Sequence, residues 1–406
     1  MIKFMSIMLA LFISLNINAA EYLIKIKEGA SFTDKSIKIN SSFSLSYGEF
    51  AVIDINESEL KSLKQREEIE YIEPNYTYTA FGIEDSDYDK QWGLKNTGRN
   101  SGNIFFPGKK GVDINAEKAW TITTGSNEVK IAVIDTGVDY NHIDLKNNIL
   151  INDLEMNGIE GVDDDGNGYV DDIYGYDFAN QDNDPMDGHG HGTHCAGVIG
   201  ASHNNLGIRG VMANVKILPI QFLTKSGRGT LEGAVKAIDY AIQREVDIMS
   251  NSWGGGGESV ALNEAVARAE KAGILFVAAA GNSNSDNDKV PTVPATIRID
   301  NVVSVGAMDG KGKKASFSNY GKETVHVFAP GVKIYSTVPN NNYKKMSGTS
   351  MACPFIAGVA GLLLANEPNL TYQELKSRLM SHVHSGENLN TYSTSGYTDA
   401  FKALKN

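Results

Sequence analysis

Three stretches of this sequence set reactive side chains among glycines. Gly348-Thr349-Ser350-Met351-Ala352-Cys353-Pro354 puts a hydroxyl after a glycine turn and ahead of the apolar run from Phe355 to Leu364. That pattern suits a nucleophile at the start of a buried helix, where the first backbone N–H groups point at whatever the hydroxyl attacks. A serine there also suits an ordinary helix N-cap. Asp135 closes the apolar segment Val133-Ile134-Asp135-Thr136-Gly137, and an isolated strand-end carboxylate is more often a turn cap. The third stretch, Asp187-Gly188-His189-Gly190-His191-Gly192-Thr193-His194-Cys195, gathers three histidines at a helix start. Histidines bind metals, but this spacing matches no common zinc motif.

A fourth stretch is acidic. Asp163-Asp164-Asp165-Gly166-Asn167-Gly168-Tyr169-Val170-Asp171 brings oxygens at alternate positions (Asp163, Asp165, Asn167, Tyr169, Asp171) around glycines, as at the start of a calcium loop. Tyr174 stands where an EF-hand would have its final glutamate, and flanking helices are not evident. An insertion loop that binds Ca2+ is expected; a solvated acidic turn is the alternative.

The elements that must hold these residues follow from periodicity. Residues 129–134, 215–222, 248–252, 274–279 and 302–305 are near-continuous apolar runs, with amphipathic patterns at 230–244 and 260–271 between them. Strands of that kind alternating with helices predict an α/β fold, a mainly parallel sheet with helices on both faces. Sites in such folds lie at the carboxyl ends of the strands. Ahead of it, strands at 22–27, 50–55 and 69–73 and a helix at 58–65 predict a small α+β unit, ending in a polar, exposed stretch from Pro74 to Lys90.

The 406 residues carry a formal net charge of −12, which argues against a nucleic-acid partner. Lys3, the apolar run from Phe4 to Leu15 and the small residues Ala19 and Ala20 have the form of a secretory signal, too short for a membrane span. Export, with no span after signal removal, is the expectation. Two cysteines, Cys195 and Cys353, make no disulfide framework, and a single bridge between them is left open.

The order Asp135, His191, Ser350 with its three motifs resembles the subtilisin family of serine proteases from about Gln91 to the end, the thermitase and proteinase K branch in particular. The resemblance implies a subtilisin-like fold and a triad. His191 would take the Ser350 proton during attack, and Asp135 would fix the imidazole tautomer. Asn282, in Ala278-Ala279-Ala280-Gly281-Asn282, falls on the family's side-chain donor to the oxyanion. Gly227, Gly229, Ser252, Trp253, Gly254, Ala279 and Gly281 fall on segments that bind substrate as an added strand. His194 is expected to make a structural hydrogen bond, and His189 has no role assigned.

After the signal peptide at 1–20, the same resemblance divides the chain into an inhibitory propeptide at 21–81 and a catalytic domain at 82–406. Self-cleavage would follow Phe81, with Tyr78 in a second apolar pocket. Asp177, Asp182 and Asp184 approximate acidic calcium positions of the thermitase branch, and Asp85, Asp144 and Asn204 resemble another family site. Cys195 would be a free thiol beside the histidine. A monomeric, broadly specific endopeptidase acting on peptides and proteins, with structural Ca2+, is the reading adopted. Its rivals are a catalytically silent, calcium-dependent binding protein of the same fold and an acid peptidase with a glutamate base in place of His191.

Overall fold

The structure is a computed structural model and describes residues 20–34, 36–75, 85–102 and 107–405. Two compact units divide the chain, residues 1–82 and 83–406, with the break one residue beyond the expected boundary. The expected signal, Ala20 apart, and the expected cleavage at Phe81 with Tyr78 lie outside the described residues.

The first unit is an antiparallel sheet of β1 (Ala20–Ile26), β2 (Lys38–Leu45), β3 (Gly48–Ile55) and β4 (Ile69–Pro74) with one helix, α1 (Glu57–Leu63). The strand order is β2-β3-β1-β4. Ile24, Ile26, Ala51, Ile53, Ile55, Leu63 and Ile69 form its core. Sequence periodicity missed β2, and the reason is physical. Every residue of β2 is exposed, and a register shift between Ile39 and Ser41 breaks its alternation.

The second unit contains α2 (Ala116–Ala119), β5 (Gly125–Asp135), α3 (Asp153–Met156), β6 (Tyr176–Asp177), α4 (His191–Gly200), β7 (Asn214–Gln221), α5 (Leu231–Gln243), β8 (Ile248–Asn251), α6 (Val260–Lys271), β9 (Leu275–Ala279) and β10 (Val302–Met308). Then come β11 (Val327–Pro330), a hairpin of β12 (Ile334–Val338) and β13 (Asn342–Met346), α7 (Thr349–Asn366), α8 (Tyr372–Ser381), β14 (Val383–His384), β15 (Tyr397–Thr398) and α9 (Ala400–Leu404). Nine strands form one sheet in the order β14-β15-β11-β10-β9-β8-β5-β7-β6. All pairs are parallel except β14 with β15.

Alternation along the central strands supplies two apolar layers, one per face. Ile131 and Val133 of β5 and Leu275 and Val277 of β9 join the layer that includes α4 and α7. Their neighbours Ala132, Ile134, Phe276 and Ala278 join the layer that includes α5 and α6. Both faces are dry, so the strands are apolar almost throughout, as a covered parallel sheet requires.

Two expectations need correction. The stretch from Pro74 to Lys90 is not uniformly exposed: Asp85 and Tyr88 are each 2 % exposed, the aspartate ion-paired to Arg209 and the ring beneath the same guanidinium. No span after the signal was expected, yet α7, at 18 residues, is long and apolar enough to cross a membrane. Residues 351–364 of α7 are buried between neighbouring elements, which makes it a core helix.

Candidate active site

Four parallel strands end side by side and each delivers part of one site. Asp135 is the last residue of β5 and Ser252 follows β8 directly, while Asn282 lies three residues beyond β9 and the segment 222–230 leaves β7. His191 opens α4 and Ser350 is the second residue of α7, so two helix starts face the strand ends.

Asp135 is fully buried and its Oδ1 lies 2.7 Å from His191 Nδ1, close enough for a charge-assisted hydrogen bond. The same oxygen accepts the Thr136 N–H at 2.7 Å, while Oδ2 has no hydrogen-bond partner. Burial disfavours the charged ring of His191, but the Asp135 carboxylate, by charge and hydrogen bond, and the more distant Asp187 outweigh it and raise the pKa above the ordinary 6.5. The close approach depends on Gly192: a β-carbon there would stand 2.0 Å from the Gly137 carbonyl oxygen. Gly190, at φ +98°, makes the left-handed turn into α4 that other residues rarely adopt.

Asp187 holds this turn, a role the sequence reading did not assign. Its Oδ1 accepts from Thr136 Oγ1 and from the N–H groups of His189 and Gly190, and its Oδ2 from the N–H and hydroxyl of Thr193. A carboxylate just ahead of a helix start was the available signal. His194, one turn on, is buried with Nε2 3.0 Å from the Ile334 carbonyl and 3.1 Å from that of Lys344, so it ties α4 to the β12–β13 hairpin as expected.

Pro354 explains how Ser350 is anchored. Lacking an N–H, Pro354 cannot bond to the carbonyl four residues earlier, which is that of Ser350. That carbonyl accepts instead from Ser252 Oγ at 2.8 Å and Cys195 Sγ at 3.4 Å. The Ser350 backbone is thereby tied to β8 and α4. Ser350 Oγ itself donates to the Ser252 carbonyl at 3.1 Å. Both cysteines are free and buried, which closes the question of a bridge; burial pushes the Cys195 thiol well up and that of Cys353 to about 11.

Asn282 is oriented from behind. The Thr349 N–H donates to its Oδ1 at 2.8 Å, with the Thr349 hydroxyl at 3.1 Å, so the amide Nδ2 is turned the other way. His191, Ser350, Asn282, Gly227, Gly229, Ser252, Trp253, Gly254, Ala279 and Gly281 all line one cleft of about 1090 Å³, so the structure brings together every expected substrate-binding position. Asp135 lies beneath it. Trp253 packs edge-on against Phe222, ring centroids 4.9 Å apart.

The expected cation ligands are distributed differently. Carboxylate oxygens of Glu155, Asp165 and Asp172 all lie within 4.8 Å of one another; of these only Asp165 was expected. Asn167 Nδ2 donates to both Asp165 and Asp172. Asp163 accepts the N–H groups of Asn167 and Gly168, and Asp171 that of Gly161, so these two brace the loop, and the Tyr169 N–H bonds to Asn167 Oδ1. Asp177 binds Ala179 and Asn180, Asp182 the Asp184 N–H, and Asp184 the Tyr140 hydroxyl. Those three do not form a close carboxylate cluster among the described residues. Asn204 bridges Asp85 and Asp144, donating its N–H to one and Nδ2 to the other.

A buried Asp–His pair and a hydroxyl at a helix start, on the carboxyl edge of a parallel sheet, form the arrangement that serine peptidases of the subtilisin type use. The subtilase family profile matches residues 126–398, and the chain belongs to that family. It is 35% identical over 393 residues to a thermophilic serine proteinase of Bacillus sp. (strain AK1), covering 96% of this chain and 84% of that one. It is 39% identical over 306 residues to subtilisin-like protease 1 of Plasmodium berghei (strain Anka), covering 70% of this chain and 51% of that one. The chain thus spans about half the length of the Plasmodium relatives it matches. Among solved structures, a cold-adapted subtilisin-like serine proteinase superposes with a TM-score of 0.59 at 33% identity, over 76% of this chain and 97% of that one. The mainly parallel α/β fold is as expected.

Proposed function

We propose that this chain is an exported, self-processing serine endopeptidase in which Ser350, His191 and Asp135 form the triad. The observation that carries the reading is the 2.7 Å bond from buried Asp135 to His191, in a ring that opens on the cleft holding Ser350 and Asn282. Asp135 fixes the tautomer with the proton on Nδ1, which leaves Nε2 free to act as base. Ser350 Oγ turns from the Ser252 carbonyl toward His191, gives up its proton and attacks the peptide carbonyl. The developing oxyanion meets Asn282 Nδ2 and the Ser350 N–H, a first-turn donor without a helical partner. The protonated imidazole then delivers its proton to the leaving amine, and water hydrolyses the acyl-enzyme. In this reading residues 1–20 direct export and the first unit is the propeptide.

Structural Ca2+ is part of the same proposal. Three carboxylates share one small space with Arg244, whose Nη1 is 3.0 Å from Asp172 Oδ2, as the facing cation. That surplus of hard oxygen ligands fits Ca2+, held by Glu155, Asp165 and Asp172, whose charge would neutralise theirs.

N-terminal sequencing of wild-type protein and Ser350→Ala, expressed side by side, tests the reading. Wild type is expected to begin near Gly82 and the variant to keep residues from Glu21 onward. Equal trimming of both would assign processing to another protease. Failure of the wild type to hydrolyse peptides, or to be blocked by a serine-directed reagent, would favour the silent binding protein.

A further inference from the structure

We propose that His189 and Arg228 form a receiving site for an acidic side chain on the substrate residue just before the one whose carbonyl is attacked. The inference rests on the peptidase reading above and adds a selectivity to it.

His189 is exposed at the cleft wall two residues before His191, the two ring centroids 6.2 Å apart and steeply inclined. Its Nε2 stands 3.5 Å from where a β-carbon on Gly227 would be, and the Lys225 β-carbon stands 3.5 Å from that position on Gly188. The turn before α4 therefore packs against the segment leaving β7. That segment is closed on itself, with the Thr224 N–H donating to the Arg228 carbonyl at 2.9 Å and the Gly227 N–H to the Thr224 carbonyl at 2.7 Å. Arg228 thus projects from a fixed backbone.

Both side chains are unspent. Among the described residues neither the His189 ring nor the Arg228 guanidinium has a hydrogen bond or ion pair within the protein. In a chain of net charge −12, residues 222–231 carry Lys225 and Arg228 and no acid. Asp187, two residues before His189, is 4 % exposed and already accepts five hydrogen bonds. Glu258 also lines the cleft, from the separate segment after β8, so the positive character is local to one wall.

Strand geometry says which substrate residue arrives there. A peptide laid along Gly227–Gly229 is extended, and its successive side chains point to opposite sides. The residue attacked by Ser350 sends its side chain into the slot beside Gly281, walled by Asn319 and Thr292, which an added β-carbon at Gly281 would meet at 2.5 Å and 3.2 Å. The preceding residue then points the other way, toward the His191 and His189 rings. A carboxylate there gains a planar guanidinium and an imidazole donor as the substrate displaces water.

Peptide pairs identical but for Asp or Asn at that residue test the idea on the processed enzyme. The Asp peptide is expected to have about 10-fold higher kcat/KM at low salt, a preference that shrinks in 0.5 M salt. His189→Ala and Arg228→Ala are each expected to cut the ratio about threefold, Arg228→Glu to invert it and Arg228→Lys to keep part of it. The ratio, not the rate, is the readout. Cleavage of both peptides at equal kcat/KM, or a ratio indifferent to all four substitutions, overturns the proposal and leaves the peptidase reading standing. Cleavage of neither overturns the peptidase reading and takes the proposal with it.

Discussion

The acids at the carboxyl end of the central strands and those of the 153–172 loop are handled in opposite ways. Asp135 and Asp187 are each buried singly, and each is met by donors of the fold: an imidazole and an N–H in one case, two threonine hydroxyls and three N–H groups in the other. In the loop, Glu155, Asp165 and Asp172 share one space; backbone N–H groups, the Asn152 and Asn167 amides and the Tyr240 hydroxyl donate to them, but among the described residues Arg244 alone pairs with them as a cation. Burial pushes the Asp172 carboxyl up, and the Tyr240 hydrogen bond and Arg244 pull it only part of the way back. In the first region each carboxylate stands apart from the other, although Asp135 Oδ2 lacks a partner, whereas in the second three carboxylates crowd together and face a single guanidinium. Activity should therefore depend on neutral substitutions in the first region, and stability on a cation in the second.

Asp135→Asn breaks the first region hardest. The amide would favour the wrong imidazole tautomer, and kcat is expected to fall roughly 10⁴-fold in a peptide hydrolysis assay. The pH profile sharpens the point. A protonated His191 cannot act as base, and its raised pKa places the acid limb of kcat/KM above 6.5. Without the Asp135 charge that limb should move to lower pH, and an unmoved limb would show that the carboxylate does not set the base. Asn282→Ala comes next, a loss of roughly 10² to 10³-fold in kcat with little change in KM, because the donor acts only as the oxyanion forms. A rise in KM at constant kcat would instead make Asn282 a ground-state contact.

His194 extends the comparison one helical turn deeper. It is fully buried, its Nδ1 has no partner, and burial lowers its pKa to about 4 despite two carbonyls at Nε2. A second proton would be an unmatched buried charge. Folded and unfolded values differ in the direction that makes the neutral ring stabilising: its contribution is complete above the ordinary 6.5 and is lost as pH falls toward about 4. The loss amounts to about 3 kcal/mol. Thermal melts of wild type and His194→Gln between pH 7 and 4 should converge as the acid is added. His326, also lowered to about 4 by burial, and His142 and His203, lowered by burial as well, remain in both proteins and contribute to the residual slope.

What was legible in the sequence follows the same division. The residues proposed as the triad, and Asn282, could be singled out because each sits in a short segment whose neighbours serve it: glycines for close approach, a proline that frees one carbonyl, and an apolar strand or helix behind. The strands β5, β7, β8, β9 and β10 and the helices α5 and α6 were legible because both sheet faces are dry. The exposed edge strand β2, the two-residue strands β14 and β15 and the β12–β13 hairpin carry no such run. That Glu155 and Asp172 join Asp165 in one carboxylate cluster was not legible, because the ligand pattern was sought within one nine-residue window. They lie on α3 and just past that window, and only folding brings them to Asp165. Long-range convergence of that kind leaves no local spacing to read.

The loop offers the smallest effect and the most direct test of the contrast. If Ca2+ is the missing positive charge, then at a free concentration 100 times Kd it stabilises the folded chain by about 2.7 kcal/mol. For a chain of this size chelation should then lower Tm by roughly 5 °C, with restoration by Ca2+ and not by Mg2+, whose smaller shell suits this irregular set poorly. Glu155→Gln removes one of the three charges and should abolish the difference between chelated and calcium-loaded melts. A variant that keeps the full difference would move the ion elsewhere, with Asp144 and Asn204 the next place to look. A wild type indifferent to chelation would show that Arg244 and the surrounding amides suffice. The loop would then be an acidic turn closed by hydrogen bonds, and the contrast between the two regions would reduce to burial.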